Sequence, residues 1–122
     1  MYHNLKDPTH VSSWLELIWV SLIEPKLTGL VVVKDFPICQ SALAKTEHSP
    51  YPRARRFEIL INGTEVANGY YEETDTEILA DRFREYVGPH KVVQAEEISS
   101  LPQCSGVSIG IERLYASLSS LT

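Results

Sequence analysis

Cysteine is scarce in this chain, and the two cysteines that occur are far apart. Neither Cys39 nor Cys104 belongs to a CxxC pair or has a histidine at metal-ligand spacing. The spacing therefore indicates neither a zinc site nor a disulfide framework. We expect both thiols to be free and buried, as unpaired cysteines usually are.

Long apolar runs and an excess of positive charge are also missing. The longest apolar stretch, residues 17–23, is interrupted by Ser21 and is far shorter than the roughly 20 residues that a membrane helix needs. The first residues lack the basic region and apolar run of a signal peptide. We therefore predict a cytoplasmic protein without a membrane partner.

The charge balance argues against a protein that binds nucleic acid without sequence preference. Eleven Lys and Arg stand against 16 Asp and Glu, which gives a net charge of −5. Sequence-independent binding to nucleic acid needs clustered positive charge, so this class is disfavoured. The length of 122 residues, with 43% hydrophobic and 22% charged residues, is typical of one folded domain.

Three stretches are predicted to be helical. Apolar residues recur at helical spacing over 11–24, and Pro25 ends the pattern. A second helix is predicted over 76–87, with Thr74 or Asp75 as its N-cap. A third begins at Ile111 and runs to about residue 116.

The strand predictions come from apolar runs and from glycine. Residues 30–33 form an apolar run of one leucine and three β-branched valines, which predicts a buried strand ending near Pro37. Residues 106–110 read as a strand of small residues. The intervening stretch 38–54 is rich in proline and serine and predicts a loop, whereas 91–101 is ambiguous.

The clearest local signal is a β-hairpin. Residues 57–61 and 64–71 flank Asn62-Gly63, a dipeptide suited to both positive-φ positions of a type I′ turn. A two-residue turn places residue 61 opposite 64 and residue 60 opposite 65. Because side chains alternate along a strand, Glu58 and Glu65 then share a face.

This carboxylate pair has two interpretations. Glu58 and Glu65 can belong to a solvated face, since glutamates are usually exposed. They can also hold a magnesium ion, which takes oxygen ligands and keeps waters and substrate phosphates.

Asn68, Tyr70 and Glu72 follow on the second strand. They share a face with Glu65 only under one further condition. Strict alternation places them on the face opposite Glu65, so they share its face only if a bulge lies between 65 and 68. Gly69 favours a local irregularity there. The alternatives are that Tyr70 packs in the core and that Asn68 is a turn residue.

Arg113 is the other candidate for chemistry. It lies in the first turn of a predicted helix that follows a glycine-containing strand, beside a helix N-terminus that attracts phosphate. The alternative is an ordinary surface ion pair with Glu112 or Glu85.

Four segments together resemble one family. RFEILINGTEVANGYYEETD (56–75) and QCSGVSIGIERL (103–114) resemble class II lysyl-tRNA synthetases and their short paralogue, the elongation factor P lysine ligase, and QCSGV is closer to the paralogue. VVVKDFPICQSALAK (31–45) and IEPKL (23–27) are similar to segments of the same family. The resemblance runs from about residue 11 to the end. It implies an α+β fold with a largely antiparallel sheet and flanking helices, of which residues 1–122 form the C-terminal part of the catalytic domain with its third motif.

The resemblance implies a nucleotide site. Glu58 and Glu65 would hold Mg²⁺ and the ATP phosphates. Gly110 and Arg113 belong to the third motif, where the arginine contacts an ATP phosphate and adenine. Glu65 and Arg113 are the residues that would serve catalysis.

The resemblance also implies an amino-acid site. Asn68 would contact the substrate carboxylate, Tyr70 would line the side-chain channel, and Glu72 would pair with the distal ammonium of lysine. Ser108 stands where the synthetase has Gly and the paralogue has Ala. A larger residue there would reshape the pocket, which is compatible with β-lysine.

The implied function is ATP-dependent, AMP-forming activation of lysine or β-lysine for transfer to elongation factor P. The family's first and second motifs are absent, so activity of this chain alone is not expected. A partial enzyme or a split enzyme, completed by a second chain that supplies the N-terminal half, is expected instead. The alternatives are an inactive binding module derived from such a ligase, and an oligomeric interaction subunit that pairs through a bare sheet edge. Acidic charge and the missing anticodon-binding domain disfavour tRNA.

Overall fold

A computed structural model describes residues 8–87, 96, 98 and 101–119. The elements in chain order are α1 (Pro8–Ile18), β1 (Leu30–Phe36), β2 (Thr46–Glu47), β3 (Arg53–Ile61), β4 (Thr64–Tyr71), α2 (Thr76–Val87), β5 (Ser105–Ile109) and α3 (Ile111–Ser119). The strands form one antiparallel sheet in the order β1-β3-β4-β5, and β2 pairs with the start of β3. The predicted α+β fold, an antiparallel sheet with flanking helices, is confirmed.

The first predicted helix is present but changes type along its length. Regular α-helix gives way to a π-helical turn at Trp19–Ile23 and then to a 3-10 turn at Glu24–Lys26. Trp14 and Leu17 are 51% and 55% exposed. The periodicity therefore predicted helix correctly over most of 11–24, but the apolar side chains are not gathered into a buried face.

Strand β1 is less buried than its sequence predicts. Leu30 and Val32 are 69% and 58% exposed, whereas Val31 and Val33 are partly buried. A continuous apolar run predicts burial on both faces, but in the described part of the chain β1 is covered on one face. The prediction of a buried strand is therefore wrong for every second residue.

The stretch predicted as a loop, 38–54, contains more regular structure than its composition indicates. Ile38–Gln40 form a 3-10 turn, β2 pairs with β3, and β3 begins at Arg53 rather than at residue 57. Arg53 donates to the Glu47 carboxylate at 2.6 Å. This contact between neighbouring strands stabilises their pairing. It cannot be predicted from the pattern of adjacent residues in the sequence.

The hairpin and its turn are confirmed. Asn62 and Gly63 have φ angles of 48° and 77°, and residue 61 lies opposite 64 and residue 60 opposite 65, as predicted. The Asn62 side chain also accepts a hydrogen bond from Gly29 N at 2.7 Å, which ties the turn to the start of β1.

The predicted bulge is also present. Ile59 pairs with Ala67, whereas the next residue, Leu60, pairs with Glu65. Val66 is therefore the additional residue of β4, and the alternation of β4 reverses on either side of it.

In the sequence, Gly69 favoured a local irregularity of the strand. The structure gives a different reason for this glycine. A Cβ atom on Gly69 would lie 2.4 Å from Phe57 Cζ and 2.5 Å from the carbonyl oxygen of Gly106. Glycine is required there because an aromatic ring and a neighbouring strand approach closely, and not because of the bulge.

Helix α2 has the bounds that the sequence predicts. Asp75 is the N-cap, because its Oδ1 accepts hydrogen bonds from Glu77 N at 2.9 Å and Ile78 N at 3.3 Å. Arg82 anchors the helix by donating to the carbonyl oxygens of Ala42 at 3.0 Å and Ala44 at 2.7 Å. The predicted stop at residues 88–89 and most of the ambiguous stretch 91–101 lie outside the described residues.

Strand β5 and helix α3 confirm the predictions for the last segment, with the helix three residues longer than expected. The prediction of buried cysteines is wrong: Cys39 is exposed and Cys104 partly exposed, and both are free. Within the described residues, no helix combines the length and apolar character needed to cross a bilayer.

Candidate functional site

The bulge at Val66 places the predicted residues on one face of the sheet. Strand pairing sets Glu58 opposite Asn68 and Asn68 opposite Ser108, and it sets Arg56 opposite Tyr70 and Tyr70 opposite Gly106. We call this face the carboxylate face; its residues are Arg56, Glu58, Glu65, Asn68, Tyr70, Glu72, Gly106 and Ser108. Without the additional residue, β4 would turn its three predicted side chains to the other side of the sheet.

The first cavity on this face has a volume of about 320 Å³ and contains both predicted magnesium ligands. Glu58 and Glu65 line it together with Arg56, and Glu16 and Trp19 close it from the helical segment. The cavity therefore combines several carboxylates, among them Glu58 and Glu65, with the cationic side chains of Arg56 and Lys34 and an aromatic wall.

Arg56 is a residue of this cavity that sequence reasoning missed. Its Nη2 donates to Glu58 Oε1 at 2.5 Å and its Nη1 to the carbonyl oxygen of Gln40 at 3.0 Å. Its guanidinium lies 4.5 Å from the centre of the Phe36 ring. Alternation along β3 already placed residues 56 and 58 on one face, and this signal could have revealed the pair.

Glu58 is buried, with 8% of its surface exposed. Burial raises the pKa of the Glu58 carboxyl, since loss of water disfavours the charged form, and the neighbouring carboxylates of Glu65 and Glu16 raise the pKa further. Arg56 opposes this effect by attraction and hydrogen bonding. A second positive charge beside Glu58 and Glu65 would relieve their repulsion.

The second cavity, of about 240 Å³, joins β4 to β5 and the start of α3. It is lined by five of the predicted residues, Glu65, Asn68, Ser108, Gly110 and Arg113, and by Glu112. Arg113 Nη1 donates to the backbone oxygen of Glu65 at 3.4 Å, and Asn68 Nδ2 donates to Glu65 Oε1 at 3.4 Å. Glu65 thus lies between the two cavities and lines both.

The surface-pair alternative for Arg113 is not supported by its contacts. Within the described residues no ion pair joins Arg113 to Glu112 or Glu85. The guanidinium is exposed and reaches instead toward the strand that carries Glu65.

Glu72 and Tyr70 lie farther along the carboxylate face. Glu72 follows the end of β4, and its backbone N–H donates to the carbonyl oxygen of Cys104 at 3.0 Å, which extends the pairing with the β5 segment. Its carboxylate lies over Gly106, and no ion pair to it is formed among the described residues. This leaves a carboxylate available for a cationic ligand.

The donor set of the first cavity fits a hard divalent cation. Glu58 and Glu65 offer carboxylate oxygens, the ligands that Mg²⁺ prefers. Among the described residues no three Asp, Glu, His or Cys side chains meet as a metal-binding group. Two carboxylates leave coordination positions for waters and substrate oxygens, which Mg²⁺ commonly keeps.

Sequence comparison identifies the family of this chain. A family model described as class II tRNA synthetases (D, K and N) matches residues 15–122. The chain belongs to this class II tRNA synthetase family, as the antiparallel sheet and the segments around Glu58 and Arg113 indicated.

Curated relatives narrow the similarity to lysine ligases. The chain is 36% identical over 115 residues to the elongation factor P–(R)-β-lysine ligase of Hamiltonella defensa, an alignment covering 84% of this chain and 35% of that protein. It is 32% identical over 125 residues to the ligase of the same name from Buchnera aphidicola, covering 92% and 39%. It is 34% identical over 119 residues to lysine–tRNA ligase 2 of Methanosarcina mazei, covering 88% and 23%. The chain thus spans little more than a third of these relatives' length, or less.

Proposed function

We propose that this chain takes part in ATP-dependent, AMP-forming activation of lysine or β-lysine. The observation that carries this proposal is the gathering of side chains from β3, β4, β5 and α3 around Glu65 on a single sheet face. Similarity to ligases of both kinds supports the substrate class.

The nucleotide would occupy the region between the two cavities. Glu58 and Glu65 would hold Mg²⁺, which neutralises phosphate charge when bound. Arg113 would bind a phosphate and the adenine, and Gly110 would leave room for the nucleotide beside the helix start. These residues position charge and do not form a covalent intermediate, so each contributes through geometry.

The amino acid would lie along the carboxylate face toward Glu72. Asn68 would donate to the substrate carboxylate, and Tyr70 would line the aliphatic chain. Glu72 would accept hydrogen bonds from the distal ammonium, a charge-assisted contact that discriminates lysine from neutral amino acids. Ser108 lies in the second cavity beside Asn68, where its hydroxymethyl group would favour a shifted amine, as in β-lysine.

The acceptor of the activated amino acid would be a protein lysine of elongation factor P. Relatives with this name support a protein acceptor, and the net charge of −5 opposes the accumulation of tRNA phosphates. The residues described span only part of these relatives, and the remaining part of the fold, carried on a second chain or in a longer form of the same chain, would complete the enzyme.

The test is ATP–pyrophosphate exchange by the purified, folded chain with lysine, with β-lysine and without amino acid. Exchange that depends on either amino acid would support an adenylating enzyme, and the better substrate would define the acceptor class. Exchange only after addition of a second chain would support a split enzyme. Ligand binding without exchange under both conditions would replace the proposal with an inactive binding module.

A further inference from the structure

Gly106 lies where the carboxylate of Glu72 crosses strand β5. A Cβ atom built on Gly106 would be 2.6 Å from Glu72 Oε1 and 3.8 Å from Glu72 Cδ. The shortest usual contact between a carbon and a carboxylate oxygen is about 3.3 Å. A methyl group at position 106 would therefore displace the carboxylate oxygen by roughly 0.7 Å, and it would touch nothing else in the described structure within 4 Å.

The backbone does not explain this glycine. The positive-φ glycines of the described chain are Gly29 and Gly63, so residue 106 has a conformation that alanine can adopt. Its neighbours in β5, Ser105 and Val107, are ordinary strand residues. The space above Gly106 is occupied by Oε1 at the end of the flexible Glu72 side chain.

We propose that Gly106 is a specificity-determining residue: its missing side chain lets the Glu72 carboxylate lie low over β5, at the depth needed to accept a terminal ammonium. This inference rests on the proposed role of Glu72. Tyr70, the proposed wall of the side-chain channel, lies opposite Gly106 in the sheet. Gly106 sets the depth of the pocket, and Glu72 supplies the charge.

The experiment compares binding of lysine and norleucine, which lacks the terminal ammonium, by isothermal titration calorimetry. Gly106→Ala is expected to lower the preference for lysine roughly tenfold or more, because sub-ångström misplacement of a binding group is costly. Norleucine affinity is expected to change much less. Ser105→Thr adds one methyl group at the preceding residue, whose side chain alternates to the opposite face, and is expected to leave both affinities unchanged.

A double mutant separates steric displacement from loss of fold. Glu72→Asp withdraws the carboxylate by one methylene group, so it is expected to weaken lysine binding in the native chain but to cost less beside Gly106→Ala. Independent, additive losses would overturn the contact. Thermal unfolding of each variant shows whether the sheet is intact.

These outcomes distinguish the role of Gly106 from the proposed role of Glu72 on which it rests. If Glu72→Gln abolishes the lysine preference and Gly106→Ala does not, the role of Gly106 is wrong and that of Glu72 stands. If Glu72→Gln has no effect, or the native chain shows no preference for lysine over norleucine, both the ammonium contact and the inference are overturned.

Discussion

Glu58 lies directly opposite Asn68 across the β3–β4 hairpin, because β4 carries one residue more than β3 between the turn and this pair. That residue, Val66, is itself buried. The register on the turn side of Val66 places Glu65 on the carboxylate face, and the register beyond it places Asn68 there too. One inserted residue therefore brings the proposed magnesium ligands and the proposed amino-acid contacts onto one face of the sheet.

The pair Glu58 and Glu65 predicts metal-dependent nucleotide binding. ATP affinity is expected to rise with Mg²⁺ in the native chain, and Glu65→Ala is expected to remove that rise because one of two protein ligands is lost. Titration of ATP with and without Mg²⁺ measures the effect. Glu85→Ala, at an exposed position of α2, is the matched control. An undiminished Mg²⁺ effect in Glu65→Ala would exclude Glu65 as a ligand.

Arg56 is expected to stabilise the fold through its contact with Glu58. Arg56→Gln removes a part-buried charged hydrogen bond and is expected to lower the free energy of unfolding by about 2 kcal/mol. Arg55→Gln removes the same charge one residue earlier, where the side chain is 42% exposed and its ion pairs are 3.7 and 3.8 Å long. Its expected cost is below about 1 kcal/mol. Urea unfolding measures both, and equal costs would contradict a specific role for Arg56.

Glu58 predicts a pH dependence of stability in the metal-free chain. Because its pKa is raised on folding above the ordinary value of 4.5, the native state binds more protons than the unfolded state between the two pKa values. The contribution of Glu58 to stability is therefore fully present below about pH 4.5 and is lost as pH rises through the folded pKa.

Glu58→Gln cannot titrate and serves as the reference for this effect. The stability of the native chain relative to Glu58→Gln is expected to fall with rising pH in that window and to be constant above it. Unfolding curves at closely spaced pH values provide the comparison. A difference that grows with pH would mean that Arg56 outweighs burial.

Two glycines with positive φ predict different costs for the same substitution. Gly29→Ala meets no atom within 4 Å and is expected to cost about 1 kcal/mol, the penalty of the left-handed conformation alone. Gly63→Ala has the same penalty and also places Cβ 2.9 Å from the carbonyl oxygen of Glu24. We expect a cost about 1–3 kcal/mol larger, from the clash. Denaturant unfolding of the two variants isolates the packing component.

Elements with a local cause could be predicted from sequence. The turn at Asn62-Gly63 follows from the φ angles that these residues tolerate, and α2 begins where Asp75 can accept backbone hydrogen bonds. The start of β3 at Arg53 could not be predicted, because it is set by pairing with β2 and with the end of β1. The exposure of Val32 likewise depends on what covers the sheet and not on the apolar run itself.

Part of the candidate site could likewise be predicted from the sequence, and part could not. The shared face of Glu58 and Glu65 follows from counting residues across a two-residue turn. Placing Asn68 beside them required a bulge, whose need could be stated from the alternation but whose position at Val66 could not. Alternation along β3 places Arg56 beside Glu58, but a charged residue two positions from a glutamate on a strand is common, and its contacts with Gln40 and Phe36 could not be predicted.

Glu65 lines both cavities, so the ligands proposed for them would be thermodynamically linked through its carboxylate. A cation that binds its carboxylate in the first cavity changes the field and the hydrogen-bond acceptor that the second cavity presents. By reciprocity, whatever binds beside Asn68 and Arg113 changes the cation affinity by the same factor. Under the proposed function, occupancy of one cavity would change binding in the other, so an affinity measured at one of them would depend on the concentration of the other's ligand.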